Sequence, residues 1–160
     1  CNISLKAGEI AMQIFIDGDA SPVKNDVIDL AHAYGLAVQI VTSVDHYTTR
    51  EYPDFVSMIY VDKGQDMADF KIVSLIQKGD ILVTQDYGLA SLVLMKARVI
   101  HHTGWEYTAS NIDRLLASRY HSSQLRKAGH RTKGPSPYSH EQRQTFRKLL
   151  DETIHEQLTI

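Results

Sequence analysis

The chain has 160 residues, 43% hydrophobic and 22% charged, with a net charge of −2. That length can bury a real core, and the balance excludes a disordered or fibrous protein. Cys1 is the only cysteine, so an internal disulfide and a single-chain thiolate zinc site are excluded, in keeping with a cytoplasmic protein.

Residues 1–11 lack the order of a secretory signal and are read as an extension or an expression remnant, ahead of one domain over 12–157. Gln13 to Ile16 is a short apolar strand running into Asp17-Gly18-Asp19. Ser21-Pro22 predicts a helix start, with Ser21 as the cap, and Val23, Val27, Leu30, Ala31 and Tyr34 follow at helical spacing. Gly35 suits the helix end. Ala37 to Thr42 is a second strand, Val44 to Pro53 a loop, and Phe55 to Val61 a third strand. Asp66 is placed to cap a helix reaching about Gln77. The strand Ile81 to Thr84 ends in Gln85-Asp86, a helix follows from about Leu89, and Arg98 to His101 is a last strand.

This alternation predicts an α/β fold with a mainly parallel sheet covered by helices. The longest apolar stretch, Gly88 to Ile100, is broken by Lys96 and Arg98, so no membrane partner is expected. Beyond about residue 110 the chain turns polar and basic. From Arg114 to Lys148 there are nine Lys or Arg against the single acid Glu141, a net +8, which leaves the rest of the chain at −10. An acidic front with a basic back suits an enzyme that holds a metal with one and a polyanion with the other. Basic helix faces that neutralise the acidic body explain the same pattern. Ser139-x-x-Gln142 is a capping-box pattern that opens the last helix.

Five aspartates carry the chemistry. Asp17, Asp19 and Asp86 end strands, and Asp66 and Asp69 share a helix face. In open α/β sheets the strand ends converge on one crevice. Carboxylates gathered there repel, and a hard cation such as Mg²⁺ or Mn²⁺ relieves the repulsion. Turn or capping roles account for any one of these residues equally well, above all for Asp66; the combination is harder to explain that way. Thr84 is a candidate for holding a phosphate or a water beside Asp86. His101-His102 is read as structural. Trp105 and Tyr107 are read as loop residues, open to base stacking, with packing favoured for Trp105.

Three segments make the chain resemble the YaiI/YqxD family of small bacterial proteins, whose function is uncharacterised and whose fold is PIN-like. They are Phe15-Ile16-Asp17-Gly18-Asp19-Ala20-Ser21-Pro22, Gly64-x-Asp66-x-Ala68-Asp69, and Gly79-Asp80-Ile81-Leu82-Val83-Thr84-Gln85-Asp86-x-x-Leu89-Ala90. Thr132-Lys133-Gly134-Pro135 adds a likeness to a family Gly-Gly-Pro loop. Ser21 stands where the family usually has Cys, and Lys133 where it has Gly.

The resemblance covers about residues 12–155. It implies a three-layer α/β/α domain with extra C-terminal helices and a metal-dependent nuclease, most simply a ribonuclease. Asp17, Asp66 or Asp69, and Asp86 would be the acidic counterparts. On that reading Asp17, Asp69 and Asp86 bind Mg²⁺ or Mn²⁺, and Asp19 and Asp66 act as further ligands or bases. Arg126, Lys127, Arg131 and Lys133 hold RNA phosphates. A PIN-like module that binds RNA or protein and cuts nothing is the alternative.

Overall fold

The computed structural model describes residues 12–18, 21–64, 66–118 and 137–159. Six strands form one sheet in the order β3-β2-β1-β4-β5-β6. They are β1 (Gln13–Asp17), β2 (Ala37–Ser43), β3 (Val56–Val61), β4 (Ile81–Val83), β5 (Arg98–His101) and β6 (Trp105–Tyr107). All pair in parallel except β5 with β6. The helices are α1 (Lys24–Tyr34), α2 (Met67–Leu75), α3 (Tyr87–Val93), α4 (112–118 among the described residues) and α5 (His140–Leu158).

Strand alternation sorts the side chains into two cores. Ile14, Ile16, Val38, Ile40, Ile81, Val83 and Ile100 point to the face covered by α1 and α5, where they meet Val27, Ala31, Phe146, Leu150 and Ile154. Phe15, Val41, Leu82 and Val99 point to the opposite face and pack with Ile72 of α2, Leu89 and Val93 of α3, and Ile112 of α4. The result is the three-layer α/β/α arrangement expected from the alternating pattern and from the PIN-like resemblance. None of the described helices is long and apolar enough to cross a membrane.

Local signals set the helix ends, with two corrections. Gly35 ends α1 in the left-handed region at φ 70°, and the next amide, of Leu36, donates to Ala31 O at 2.9 Å. The Ser139–Gln142 capping box is present, with both reciprocal bonds made. Ser21, however, does not cap α1. That helix begins three residues beyond Ser21, at Lys24, with Val23 as its uncapped flank. The second correction is β6. Gly104, at φ 101°, turns the chain back after His101, so Trp105 to Tyr107 pair with β5 instead of forming a loop.

Charge holds α5 against α1. Asp26, 5% exposed, accepts from Arg143 Nη1, and also from Arg147 Nη1 at 2.9 Å. The two arginines lie one turn apart and so reach the same carboxylate. Tyr34 adds a hydroxyl bond to Asp151 Oδ1 at 2.6 Å. On the other side, Arg98 of β5 bonds Glu106 of β6 and Glu156 of α5. Two of the nine basic residues of the C-terminal segment are therefore committed to the acidic body, and the neutralising role weighed for that segment holds for Arg143 and Arg147.

His101 is packed between His102, with ring centroids 4.4 Å apart, and Trp105, at 4.7 Å. Its Nδ1 accepts from the Thr103 amide at 3.1 Å. Burial, and then the neighbouring His102, push its pKa down to about 4. The folded protein therefore favours the neutral ring.

Removing the carboxylate with Asp26→Ala leaves two facing guanidinium groups. Breaking a buried pair costs about 3–5 kcal/mol, and about 2–4 kcal/mol is expected here because the arginines remain a third exposed. Thermal unfolding should show Tm lowered by about 5–15 °C; an unchanged Tm would show that the clamp contributes nothing. The histidine gives a second expectation. Its folded pKa lies below its unfolded value, so its stabilisation is complete above about pH 6.5 and is lost as pH falls toward 4. Tm should decline between pH 6.5 and 5 in the wild type and decline less in His101→Gln. Equal slopes would contradict the neutral, buried histidine.

Candidate active site

The sheet order places β1 between β2 and β4, so the chain reverses direction across the sheet at the β1–β4 junction. Side chains at the C-terminal ends of strands on either side of such a junction face a common crevice. Asp17 is the last residue of β1, and Thr84 follows β4 directly. The Thr84 hydroxyl donates to Asp17 Oδ2 at 3.0 Å and accepts from the Asp86 amide at 3.0 Å. Its carbonyl accepts from the buried Tyr107 hydroxyl at 3.2 Å. Thr84 is only 3% exposed. Expected to touch substrate, it instead lies beneath the site and fixes Asp17 and the turn into α3. Tyr107, from the strand that sequence reading missed, braces it from below.

Asp86 caps α3: its Oδ1 accepts from the Leu89 amide at 3.1 Å. The bond holds the carboxylate at the positive end of a helix, where its charge is favoured. Across the crevice, α2 brings Asp69 in its first turn. Asp66 flanks that helix in the left-handed region at φ 65°, the one non-glycine residue with positive φ among those described. It occupies the cap position, yet its side chain makes no capping bond. The backbone there is strained, as it often is at functional sites.

These elements surround a cleft of about 750 Å³. Asp17, Asp66, Asp69 and Asp86 all line it. Asp62, which follows β3, lines it too, together with Ser43, Gln85 and Tyr87. Sequence reading passed over Asp62, although it ends an apolar strand just as Asp17 and Asp86 do. Asp19, Arg126, Lys127, Arg131 and Lys133 lie outside the described residues.

Five carboxylates from four segments share one opening, so the cleft is strongly negative and suits a hard cation in its donor chemistry. Among the described residues, no group of three His, Cys, Asp or Glu side chains is placed to hold a metal ion. Mg²⁺ does not require one. It keeps several waters and is usually held by one or two carboxylates together with substrate phosphates. An open, carboxylate-lined cleft fits that mode of binding and does not fit a dehydrated, all-protein cage.

The family described as "Uncharacterized BCR, YaiI/YqxD family" matches residues 15–156. A UPF0178 protein of Enterococcus faecalis is 57% identical over 148 residues, covering 92% of this chain and 100% of its own length. A UPF0178 protein of Oceanobacillus iheyensis is 51% identical, covering 87% of this chain and 96% of its own. One of Bacillus thuringiensis is 49% identical, covering 89% and 99%. Among solved structures, that of Rae1 (YacP) from Bacillus subtilis is similar with a TM-score of 0.42 at 15% identity, over 74% of this chain and 85% of that one. That likeness is too low to bear on the fold or the site. The family match spans the cleft from Asp17 to Asp86 and on through α5, and the chain belongs to the YaiI/YqxD family.

Proposed function

We propose that this cleft hydrolyses phosphodiester bonds, with RNA as substrate and Mg²⁺ or Mn²⁺ as cofactor. One observation carries the reading: acidic side chains from four separate segments meet in a single cleft at the strand junction. A face that only bound RNA would gain nothing from clustered acids, which repel the backbone. The single cysteine is in keeping with a cytoplasmic site of action.

In this reading Asp17 and Asp86 would hold the cation directly, and Asp69, the third candidate ligand, would reach it through water. When bound, the cation supplies Lewis acidity to the phosphoryl group and makes the attacking water more acidic. Thr84 keeps Asp17 turned into the cleft, and the Leu89 amide keeps Asp86 turned toward it. Asp66, and Asp19 beside Asp17 in sequence, are bases for the proton released by the attacking water or further ligands. Arg126, Lys127, Arg131 and Lys133 grip phosphates, which makes binding salt-sensitive.

Single-stranded RNA should be cut in the presence of Mn²⁺, and EDTA should stop it. Asp17→Asn should abolish cutting yet retain RNA binding, and Asp86→Asn should weaken Mn²⁺ binding by calorimetry. Binding without metal-dependent cutting across varied RNAs would replace this reading with that of a non-catalytic scaffold.

The bridge beneath the site makes a separate prediction. Groups that orient a metal ligand typically contribute about 10- to 100-fold in affinity or activity. Thr84→Val should lower the cutting rate on that scale, and Thr84→Ser, which keeps the hydroxyl, should restore most of it. Full activity in Thr84→Val would remove Thr84 from the site's support.

A further inference from the structure

A second strand neighbour of β4 also ends beside the site. The pairing of β4 with β5 sets Val83 beside Ile100, so His101 and His102 leave the sheet at the same end as Thr84 and Asp17. His102 there lines a niche with Asp17, Ser21, Val83, Thr84 and Gln85. Asp17 and Gln85 line the main cleft as well, so the two spaces adjoin. The niche measures about 10 Å³, room for one water-sized atom.

Packing fixes the His102 ring. It stacks on His101 with centroids 4.4 Å apart and meets the Tyr138 ring edge-on at 5.5 Å. The Tyr138 hydroxyl donates to the His102 carbonyl at 2.7 Å, which holds the backbone as well. These contacts use the faces of the ring and leave its nitrogens unspent. Among the described residues, no hydrogen bond reaches either ring nitrogen of His102 or the hydroxyl of Ser21. Burial pushes the His102 pKa below its ordinary value, so the ring is neutral near pH 7 and offers one N–H.

Size and donor chemistry decide what the niche accepts. A base or a sugar does not fit, whereas a single oxygen does. The Thr84 hydroxyl is already given to Asp17. Ser21, Gln85 and His102 are neutral and can donate. The one charge in the niche is that of Asp17, so an anionic oxygen enters only when a cation beside Asp17 offsets it.

We infer that His102, with Ser21, donates hydrogen bonds to one non-bridging phosphoryl oxygen of the substrate, seated in the niche beside Asp17. The inference rests on the reading of the cleft as a metal-dependent phosphodiesterase, and it concerns how the phosphate is held and not the chemical step. A seat for one oxygen grips the backbone and reads no base.

The test is binding of inorganic phosphate to the full chain, followed by NMR of the histidine rings with and without Mg²⁺. The His102 signal, assigned by its absence from His102→Phe, should move on adding phosphate when Mg²⁺ is present and stay in place when it is not. His102→Phe keeps an aromatic ring for packing and loses the N–H. It should weaken phosphate binding about 10- to 100-fold, the range for a hydrogen bond to a charged group. His102→Gln, which restores a donor, should recover part of the loss. Calorimetry should give both variants the Mg²⁺ affinity of the wild type.

Phosphate binding unchanged in His102→Phe, or a His102 signal that does not move, would overturn the subsite and leave the phosphodiesterase reading standing. An equal loss in His102→Phe and His102→Gln would do the same, since it marks a packing role. Phosphate that binds as tightly without Mg²⁺ would also overturn it. A wild-type chain that binds no Mg²⁺ would instead remove the phosphodiesterase reading, and the subsite with it.

Discussion

The parallel pairing of β1 with β4 is the constraint on which the site depends. It sets Ile16 beside Val83, so that the next residues, Asp17 and Thr84, emerge together at the C-terminal end of the two central strands. One hydroxyl then ties the acid at the end of β1 to the turn that begins α3. The two groups are 67 residues apart in sequence, and only the sheet brings them into reach. Were β4 to slip by one residue, its apolar side chains would exchange faces and the bridge would be lost.

Gathering acids in one place makes demands on the rest of the molecule. The body of the chain carries a large negative excess, and the structure offsets part of it away from the cleft. Arg143 and Arg147 neutralise Asp26 on one face, and Arg98 meets Glu106 and Glu156 near the sheet edge. None of these cations enters the cleft, whose lining contains no Lys or Arg among the described residues. The dipoles of α2 and α3 moderate the repulsion, since Asp69 and Asp86 sit in or beside their first turns.

Much of this was legible from the chain alone, and for identifiable reasons. Strands buried on both faces read as continuous apolar runs, so the acids that end β1 and β4 stood out. The alternation of helix and strand gave the parallel sheet, and the Ser139–Gln142 pattern gave the start of α5. What escaped depended on distance or brevity. A three-residue strand such as β6 has no measurable periodicity, and the turn that creates it rests on a single glycine, Gly104. In sequence Thr84 is a candidate for holding a phosphate or a water because it adjoins Asp86; that its hydroxyl is already engaged follows only from β1 lying next to β4. Ser21 had the right chemistry for a cap, but the helix begins later, with no side-chain cap at its start. Asp62 carries the same strand-end signal as Asp17 and was passed over.

The central claim is that the cleft between Asp17 and Asp86 is a divalent-cation site. Anomalous X-ray scattering from crystals soaked in Mn²⁺ tests it directly. The account predicts an anomalous peak within coordination distance of Asp17 and Asp86, with water completing the sphere and Asp69 or Asp66 close by. Crystals saturated with Mn²⁺ that show a peak elsewhere, or none in the cleft, would contradict it.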